Sequence, residues 1–255
     1  MKITEKIKKS KTAHWLYHQT KTKINWTKYY SSFIGDFLLF QKNNDSRFSL
    51  KWSNRYPCLG EATAMTGFDA HYIYHPAWAA RIVAQTKPEF HIDISSTLTF
   101  CSIVSAFVPV KFYDYRPAQL TLTGLDCGQA DLLKLPFADN SIKSLSCMHT
   151  VEHVGLGRYG DQIDPTGDLK AMSELKRVLA PGGNLLFVVP IGQPKLMFNA
   201  HRIYSYQMIV DAFSDLKLNN FTLIPSSNKQ KPNFSASKEE SDKENYACGC
   251  FWFTK

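Results

Sequence analysis

No stretch of this 255-residue chain approaches the run of about 20 apolar residues that a membrane-spanning helix needs. The most apolar early segment, Phe33 to Phe40, is short and interrupted by Asp36, so no transmembrane anchor is expected. The first residues are lysine-rich but contain no apolar core leading to a small-residue cleavage site. A secretory signal is therefore not expected, and the cytoplasm is the default location. Cysteine pairs are also missing. Cys58, Cys101, Cys127, Cys147, Cys248 and Cys250 contain no CxxC and no His/Cys cluster at zinc spacing, which reads as reduced thiols and no metal site. Cys248 and Cys250, two apart on a predicted strand, share one face. A further absence is glycine in "EFHIDISSTLTF", Glu89 to Phe100. This stretch reads as a buried strand that ends in an aspartate and runs into a helix, where a nucleotide-binding fold carries a glycine-rich turn.

Enough is present to build a core: hydrophobic residues make up 44% of the chain and charged residues 20%, which suits one soluble domain with appendages. The formal charge of +8 is concentrated near the start. Lys2, Lys6, Lys8, Lys9, Lys11, Lys21, Lys23 and Lys28 face a lone Glu5 there, interleaved with Trp15, Trp26, Tyr29 and Tyr30. Such an arm suits either a solvated extension that docks its aromatics or contact with an anionic membrane surface. No nucleic-acid-reading motif accompanies it, so no nucleic-acid partner is expected.

Up to about residue 85 the pattern is mostly helical, with "HPAWAARIVAQTKP" the clearest case. Pro76 is placed for its first turn and Pro88 for its end. From residue 89 short apolar runs alternate with helical stretches, which indicates βαβ units and a largely parallel sheet. Strands are predicted near 90–94, 110–114, 124–130, 142–148 and 184–190, and helices near 97–108, 168–180 and 204–214. The helix "GDLKAMSELKRVLAPGG" has Asp168 in its first turn, Lys176 and Arg177 in its last, and a Pro-Gly-Gly stop. Residues 226–245 are polar and read as a mobile loop between two final strands, "FTLIP" and "YACGCFWFTK", which form an antiparallel hairpin at the sheet edge.

Ligands of open parallel sheets sit beyond the carboxyl ends of the strands, so the residues that follow each strand matter most. Here they are Asp93, Ser95, Ser96 and Thr97 after the first, Asp114 with Tyr115 and Arg116 after the second, and Asp131 with Leu132 after the third. The fourth strand is followed by "HTVEHVGLGRYGD". Asp114 lies 21 residues beyond Asp93, close to the offset of about 20 at which a carboxylate meets a ribose hydroxyl. A turn-forming Asp, or one paired with Arg116, is the plainer alternative.

The segments "ADLLKLPFADNSIKSLSCMHTVEHV" and "ELKRVLAPGGNLLFVVP" resemble, in order and separation, the middle and late motifs of class I S-adenosylmethionine-dependent methyltransferases. More narrowly, "HYIYHPAWAAR", "FYDYRP", "EHVGLGRYGD" and "AHRIY" resemble a little-characterised methyltransferase-like family that occurs with bacterial surface-polysaccharide genes. The resemblance implies a Rossmann-like α/β core over 89–255, a helical cap at 56–88 and a basic aromatic arm at 1–55. It implies S-adenosyl-L-methionine as cofactor, with Asp114 on the ribose and Asp131 and Leu132 at the adenine. Asp93 to Thr97 would flank the methionine part, and His149 would face the cofactor. The chain departs from the pattern in its first motif, where Ser95, Thr97 and Thr99 stand at positions that methyltransferases give to glycine. No pyrophosphate binds there in methyltransferases, so Ser95 and Ser96 could donate to a carboxylate instead, aided by the following helix N-terminus.

Methyl transfer from a sulfonium rests mainly on in-line positioning, with a base needed only when the acceptor must lose a proton. The candidates are His149 first, then Glu152 and His153, with Arg158, Tyr159 and Asp161 in a glycine-punctuated loop. For His153 the plainer expectation is capping or packing, and "HTVEH" as a zinc motif is not supported at a parallel-strand end. Arg158, Tyr159 and Asp161 with His201 and Arg202 suit an anionic or sugar-like acceptor. His71, Tyr74, His75, Trp78 and Arg81 could add a wall, with core packing the alternative for Trp78. The expected function is methylation of a small polar acceptor, a sugar or glycan-linked group. A catalytically silent binding protein on the same fold and a nicotinamide-dependent oxidoreductase are the alternatives.

Overall fold

Alternation along the longest strand sets the layers of the molecule. In β5 (Leu179–Ile191), Leu185, Phe187, Val189 and Ile191 enter one buried cluster while Leu186 and Val188 enter another, as a two-residue period requires of a strand covered on both faces. The computed structural model describes the backbone of residues 11–227 and 230–255, and side chains from Trp26 onward within those ranges. Lys2, Lys6, Lys8 and Lys9, and the side chains of Trp15, Lys11, Lys21 and Lys23, therefore lie outside what is described.

The chain divides into two compact units, Met1–Gly67 and Phe68–Lys255. In the first, α1 (Lys11–Lys42) carries aromatics at helical spacing. Trp26 stacks on Tyr30 at 4.9 Å, and Phe37 meets Trp52 edge-on at 4.9 Å. Trp52 sits in a single 3₁₀ turn, with the Arg55 guanidinium 4.6 Å above its ring. Among the described residues no helix is long and apolar enough to cross a membrane.

The second unit begins with α2 (Ala70–Thr86), capped by the Asp69 side chain, which accepts from Tyr72 N at 3.2 Å. Pro76 therefore lies inside the helix and not in its first turn, where it removes the hydrogen bond to the Tyr72 carbonyl. His71, His75, Trp78, Ala79, Ile82 and Val83 recur at helical spacing on the buried face. Next come β1 (His91–Ile94), α3 (Leu98–Val104), β2 (Val110–Asp114), β3 (Leu125–Gln129) and β4 (Ile142–Met148). After them follow α4 (Gly167–Val178), β5, the hairpin β6 (Lys195–Met197) and β7 (His201–Ile203), α5 (Tyr206–Ala212), β8 (Lys217–Pro225), α6 (Lys238–Ser241) and β9 (Ala247–Thr254).

The sheet order is β3-β2-β1-β4-β5-β9-β8, with β9 antiparallel to both its neighbours and the other pairs parallel. Helices α2 and α3 cover one face and α4 and α5 the other. Two further expectations need correction. Helix α3 ends at Val104, four residues short of 108. Pro181-Gly182-Gly183 does not precede the strand but lies within β5, whose pairing with β4 shifts register between Ile142 and Ser144. Within the polar segment 226–245, Ser237 and Glu240 form a capping box on α6, and Asn233 pairs with Leu223 through two 2.9 Å backbone bonds.

Candidate functional site

The first four strands of the sheet end around a cavity of about 330 Å³, lined by Ser95, Asp114, Tyr115, Arg116, Asp131, Leu132, His149, His153, Tyr159 and Asp161. Ala130, Leu133, Thr150, Val154, Gly155 and Gln162 complete the lining. At the end of β2 the Asp114 carboxylate uses Oδ1 to accept from Arg116 N at 2.7 Å, and Asp131 Oδ1 accepts from Leu133 N at 2.8 Å. Each carboxylate thus fixes its own turn with one oxygen and keeps a second that can accept from a ligand. Leu132 is buried at 6% exposure, an apolar floor for a flat ring.

The glycine-less turn keeps a glycine-like backbone. Ser95 has φ 57° and donates its amide to Tyr113 O at 2.7 Å, so the left-handed position is filled by a serine at a cost in backbone strain. Thr150 Oγ1 donates to Ser95 O at 2.8 Å and ties this turn to the one after β4. The neighbours expected beside the cofactor turn inward. Thr97 caps α3, accepting from Phe100 N, and Ser96 Oγ accepts from Met148 N at 3.0 Å. Asp93 is fully buried beneath the turn, accepting from Ser96 N at 3.0 Å and, through a short bond, from Ser146 Oγ. Burial raises its carboxyl to about 6 despite these donors.

Ser146 also meets His91 Nε2 at 2.8 Å, and His91 Nδ1 meets Ser144 Oγ at 2.7 Å. One hydroxyl proton on Ser146 goes to Asp93, so His91 Nε2 must be the donor and Nδ1 the acceptor. Burial alone lowers His91 to about 3 and keeps it neutral. This network escaped the reading of strand ends, yet its signal is present: polar residues alternate at 91/93 and 144/146 within otherwise apolar strands, and the β1–β4 pairing sets Asp93 opposite Ser146.

The loop after β4 is organised by Asp161, whose Oδ2 accepts from Gly155 N at 2.8 Å and Gly157 N at 3.3 Å and whose Oδ1 accepts from Tyr159 N at 3.2 Å. Burial opposes its charge, but these amides outweigh it and hold the carboxyl below its ordinary range. Gly155 has φ 77°, and a Cβ there would meet Asp164 O at 2.0 Å, so the bend needs glycine. Tyr159 presents its ring to two guanidinium groups, Arg116 at 4.7 Å and Arg158 at 5.1 Å.

His149 also has a positive φ, 55°, and its Nδ1 lies 3.0 Å from Glu152 Oε1, the two side chains being 6% and 1% exposed. Burial disfavours its imidazolium, while the Cys248 sulfur and the Glu152 carboxylate favour it and raise its pKa overall. His75 packs edge-on against it at 4.9 Å, and His71 and Tyr72 stack nearby at 6.1 and 5.4 Å. His153, one turn on, places Nδ1 2.5 Å from Ala200 O. Since a carbonyl only accepts, Nδ1 carries the proton and Nε2 is the basic atom.

The substrate-side residues read from the sequence scatter. Trp78 is core, 5% exposed, in the cluster under α2. Arg81 points back to Ala77 O at 2.7 Å, and neither it nor His75 lines the cavity. Arg202 is buried, donates to Val154 O at 2.7 Å and lies 3.5 Å from Asp168, which makes it a clamp on the loop. His201 lies 6.3 Å from the ring of His153 and 5.7 Å from that of Tyr246.

Residues 137–244 match the family described as Caenorhabditis protein of unknown function, DUF268. Over 118 residues the chain is 29% identical to an uncharacterized protein of Methanocaldococcus jannaschii, covering 43% of this chain and 47% of that protein. The chain thus spans about half the length of that curated relative. Among solved structures it is similar to the N-methyltransferase NodS of Bradyrhizobium japonicum in complex with S-adenosyl-L-homocysteine, at 13% identity and a TM-score of 0.48, over 71% of this chain and 85% of that one. It is also similar to the [4+2]-cyclase SpnF (12%, TM-score 0.48, 71% and 80%) and to an S-adenosylmethionine-dependent methyltransferase of Aquifex aeolicus (13%, TM-score 0.41, 68% and 88%). Strand order, with β9 inserted antiparallel between β5 and β8, makes the second unit a Rossmann-like fold of the class I methyltransferase type.

Proposed function

We propose that the protein transfers a methyl group from S-adenosyl-L-methionine to a small polar acceptor, a sugar or sugar-linked group of surface-glycan synthesis. The observation that carries this reading is the cavity itself, with one acceptor oxygen on each of Asp114 and Asp131 beyond those engaged in turns. The residues fit the cofactor: Asp114 would take both ribose hydroxyls, Asp131 the adenine edge, Leu132 its face, and Ser95 the amino-acid end. Bound there, the cofactor supplies a sulfonium methyl as electrophile.

The chain's own part is to hold the acceptor and to move its proton. His153 is assigned as base, because it lines the cavity and Ala200 O fixes its tautomer, leaving Nε2, 3.9 Å from Glu152 Oε1, as the basic atom. His149 is set aside for that role, since Nδ1 faces Glu152 and Nε2 is buried without an oxygen or nitrogen partner. The Tyr159 ring between two arginines suits a sugar face or an anionic acceptor. The surface-glycan context rests on the sequence resemblance.

A binding protein without catalysis is the second reading, favoured by the strained serine at the turn. Calorimetric titration with S-adenosylmethionine and S-adenosylhomocysteine, with Asp114→Ala alongside, tests the first reading. Saturable binding that the variant weakens supports it, and no binding at millimolar ligand sinks it. Radiolabelled methyl transfer to a panel of sugar nucleotides then separates an enzyme from a binder.

A further inference from the structure

We propose that His75, His149 and Cys248 form a buried site for a divalent transition-metal ion, Zn²⁺ by its ligand chemistry, which joins α2, the turn after β4 and β9. One potential ligand atom from each of the three lies within 4.8 Å of the others. His75 and Cys248 are fully buried, and the His149 side chain is 6% exposed.

The hydrogen bonds point to an occupant. His75 Nδ1 lies 2.7 Å from His71 O, so it carries the proton and Nε2 has the lone pair. His149 Nδ1 faces Glu152 Oε1 at 3.0 Å, so Nε2 is the atom left for a metal, which it would bind by giving up the proton that Cys248 and Glu152 favour there. Both Nε2 atoms are buried without an oxygen or nitrogen partner, and the Cys248 sulfur is the group that interacts with His149. A metal-bound imidazole is held in just this way, with its second nitrogen donating to a carboxylate or a backbone carbonyl.

Two imidazoles and a thiolate form a borderline-soft set that suits Zn²⁺ and offers nothing to Ca²⁺ or Mg²⁺, which take oxygen. Tetrahedral Zn–N and Zn–S bonds of about 2.0–2.3 Å require the three atoms to draw together by on the order of an ångström. Three protein ligands leave a fourth position for water or an exogenous ligand. Binding displaces the Cys248 thiol proton, and any proton on His149 Nε2, to solvent; the ion stays divalent and no electron moves. The proposal stands apart from methyl transfer, since its readout needs no cofactor.

The test is a Co²⁺ titration of the reduced, chelator-stripped full chain, followed by Zn²⁺ competition. One equivalent per chain with a thiolate-to-cobalt charge-transfer band and tetrahedral d–d absorption is expected, both displaced by Zn²⁺. Cys248→Ser should lose the band, and Cys58→Ser, at an exposed thiol, should keep it. Glu152→Gln should keep the band and weaken Zn²⁺ affinity roughly 10–100-fold. A wild-type chain that shows no such band, or a band kept in Cys248→Ser and lost in Cys58→Ser, overturns the site. Should Cys248→Ser not fold, His75→Gln decides: unchanged affinity overturns the site, and a loss of tenfold or more supports it.

Discussion

Two buried histidine clusters within one unit differ in how their polar atoms are satisfied. Around His91, every side-chain atom that needs a partner has one: Nδ1 meets Ser144, Nε2 meets Ser146, and Ser146 passes its proton to Asp93. Around His149, the Nε2 atoms of His75 and His149 and Glu152 Oε2 are buried with no oxygen or nitrogen partner. Both clusters set imidazole beside a buried carboxylate, Asp93 in one and Glu152 in the other. A closed network holds strands in register, whereas a buried cluster with unpaired polar atoms costs stability until something binds it. The cavity is a third case: its carboxylates each satisfy a turn with one oxygen and keep another at the wall.

The largest effect expected is on turnover. His153→Ala should lower kcat by roughly 10²–10⁴-fold with cofactor affinity nearly intact, as loss of a general base does. Equal loss in His149→Ala at unchanged folding would return the base to His149 and blur the line between cluster and cavity. Second, Zn²⁺ at about 1,000 times its dissociation constant should stabilise the chain by roughly 4 kcal/mol in thermal unfolding. His75→Gln should abolish that gain while a variant at His91 retains it. A gain that survives in His75→Gln and disappears with His91 would reverse the comparison. Third, Asp114→Ala should weaken cofactor binding by about 1.5–3 kcal/mol, the worth of hydrogen bonds to a charged group, read by calorimetry.

How much of this was legible in the sequence follows from range. The strands and their terminal aspartates could be read because apolar runs, Pro and Gly stops and the 21-residue step from Asp93 to Asp114 are local patterns. The sheet order with its antiparallel β9 fits the hairpin read from "FTLIP" and "YACGCFWFTK". Pro76 was misplaced because Asp69, a good cap six residues before "HPAWAAR", starts the helix earlier than the proline suggests. In the polar segment 226–245, the pairing of Asn233 with Leu223 and the cap of Ser237 on α6 were illegible because composition does not reveal them. The His75–His149–Cys248 cluster was illegible because its members stand about 70 and 100 residues apart, on elements that only the folded sheet brings together. Likewise, nothing local marks Arg202 as a clamp on Val154 O.

The smallest expected effect tests whether the closed network is purely structural. His91 is depressed to about 3 against an ordinary 6.5, so the stability it contributes is present above pH 6.5 and is lost as pH falls toward 3. Asp93 has the opposite sign. Its carboxyl is raised to about 6 from 3.8, so its contribution is present below pH 3.8 and is lost as pH rises through 6. Between pH 6.5 and 4 the two slopes oppose, and the wild-type melting temperature should change little through this pair. Removing one partner exposes the other: Asp93→Asn should melt progressively lower on acidification, and His91→Asn progressively higher. A net change of 1 kcal/mol would move the midpoint by roughly 2–4 °C. Parallel pH profiles in wild type and both variants would mean that the network does not titrate on unfolding, and that its satisfied hydrogen bonds, not its charges, distinguish it from the open cluster around His149.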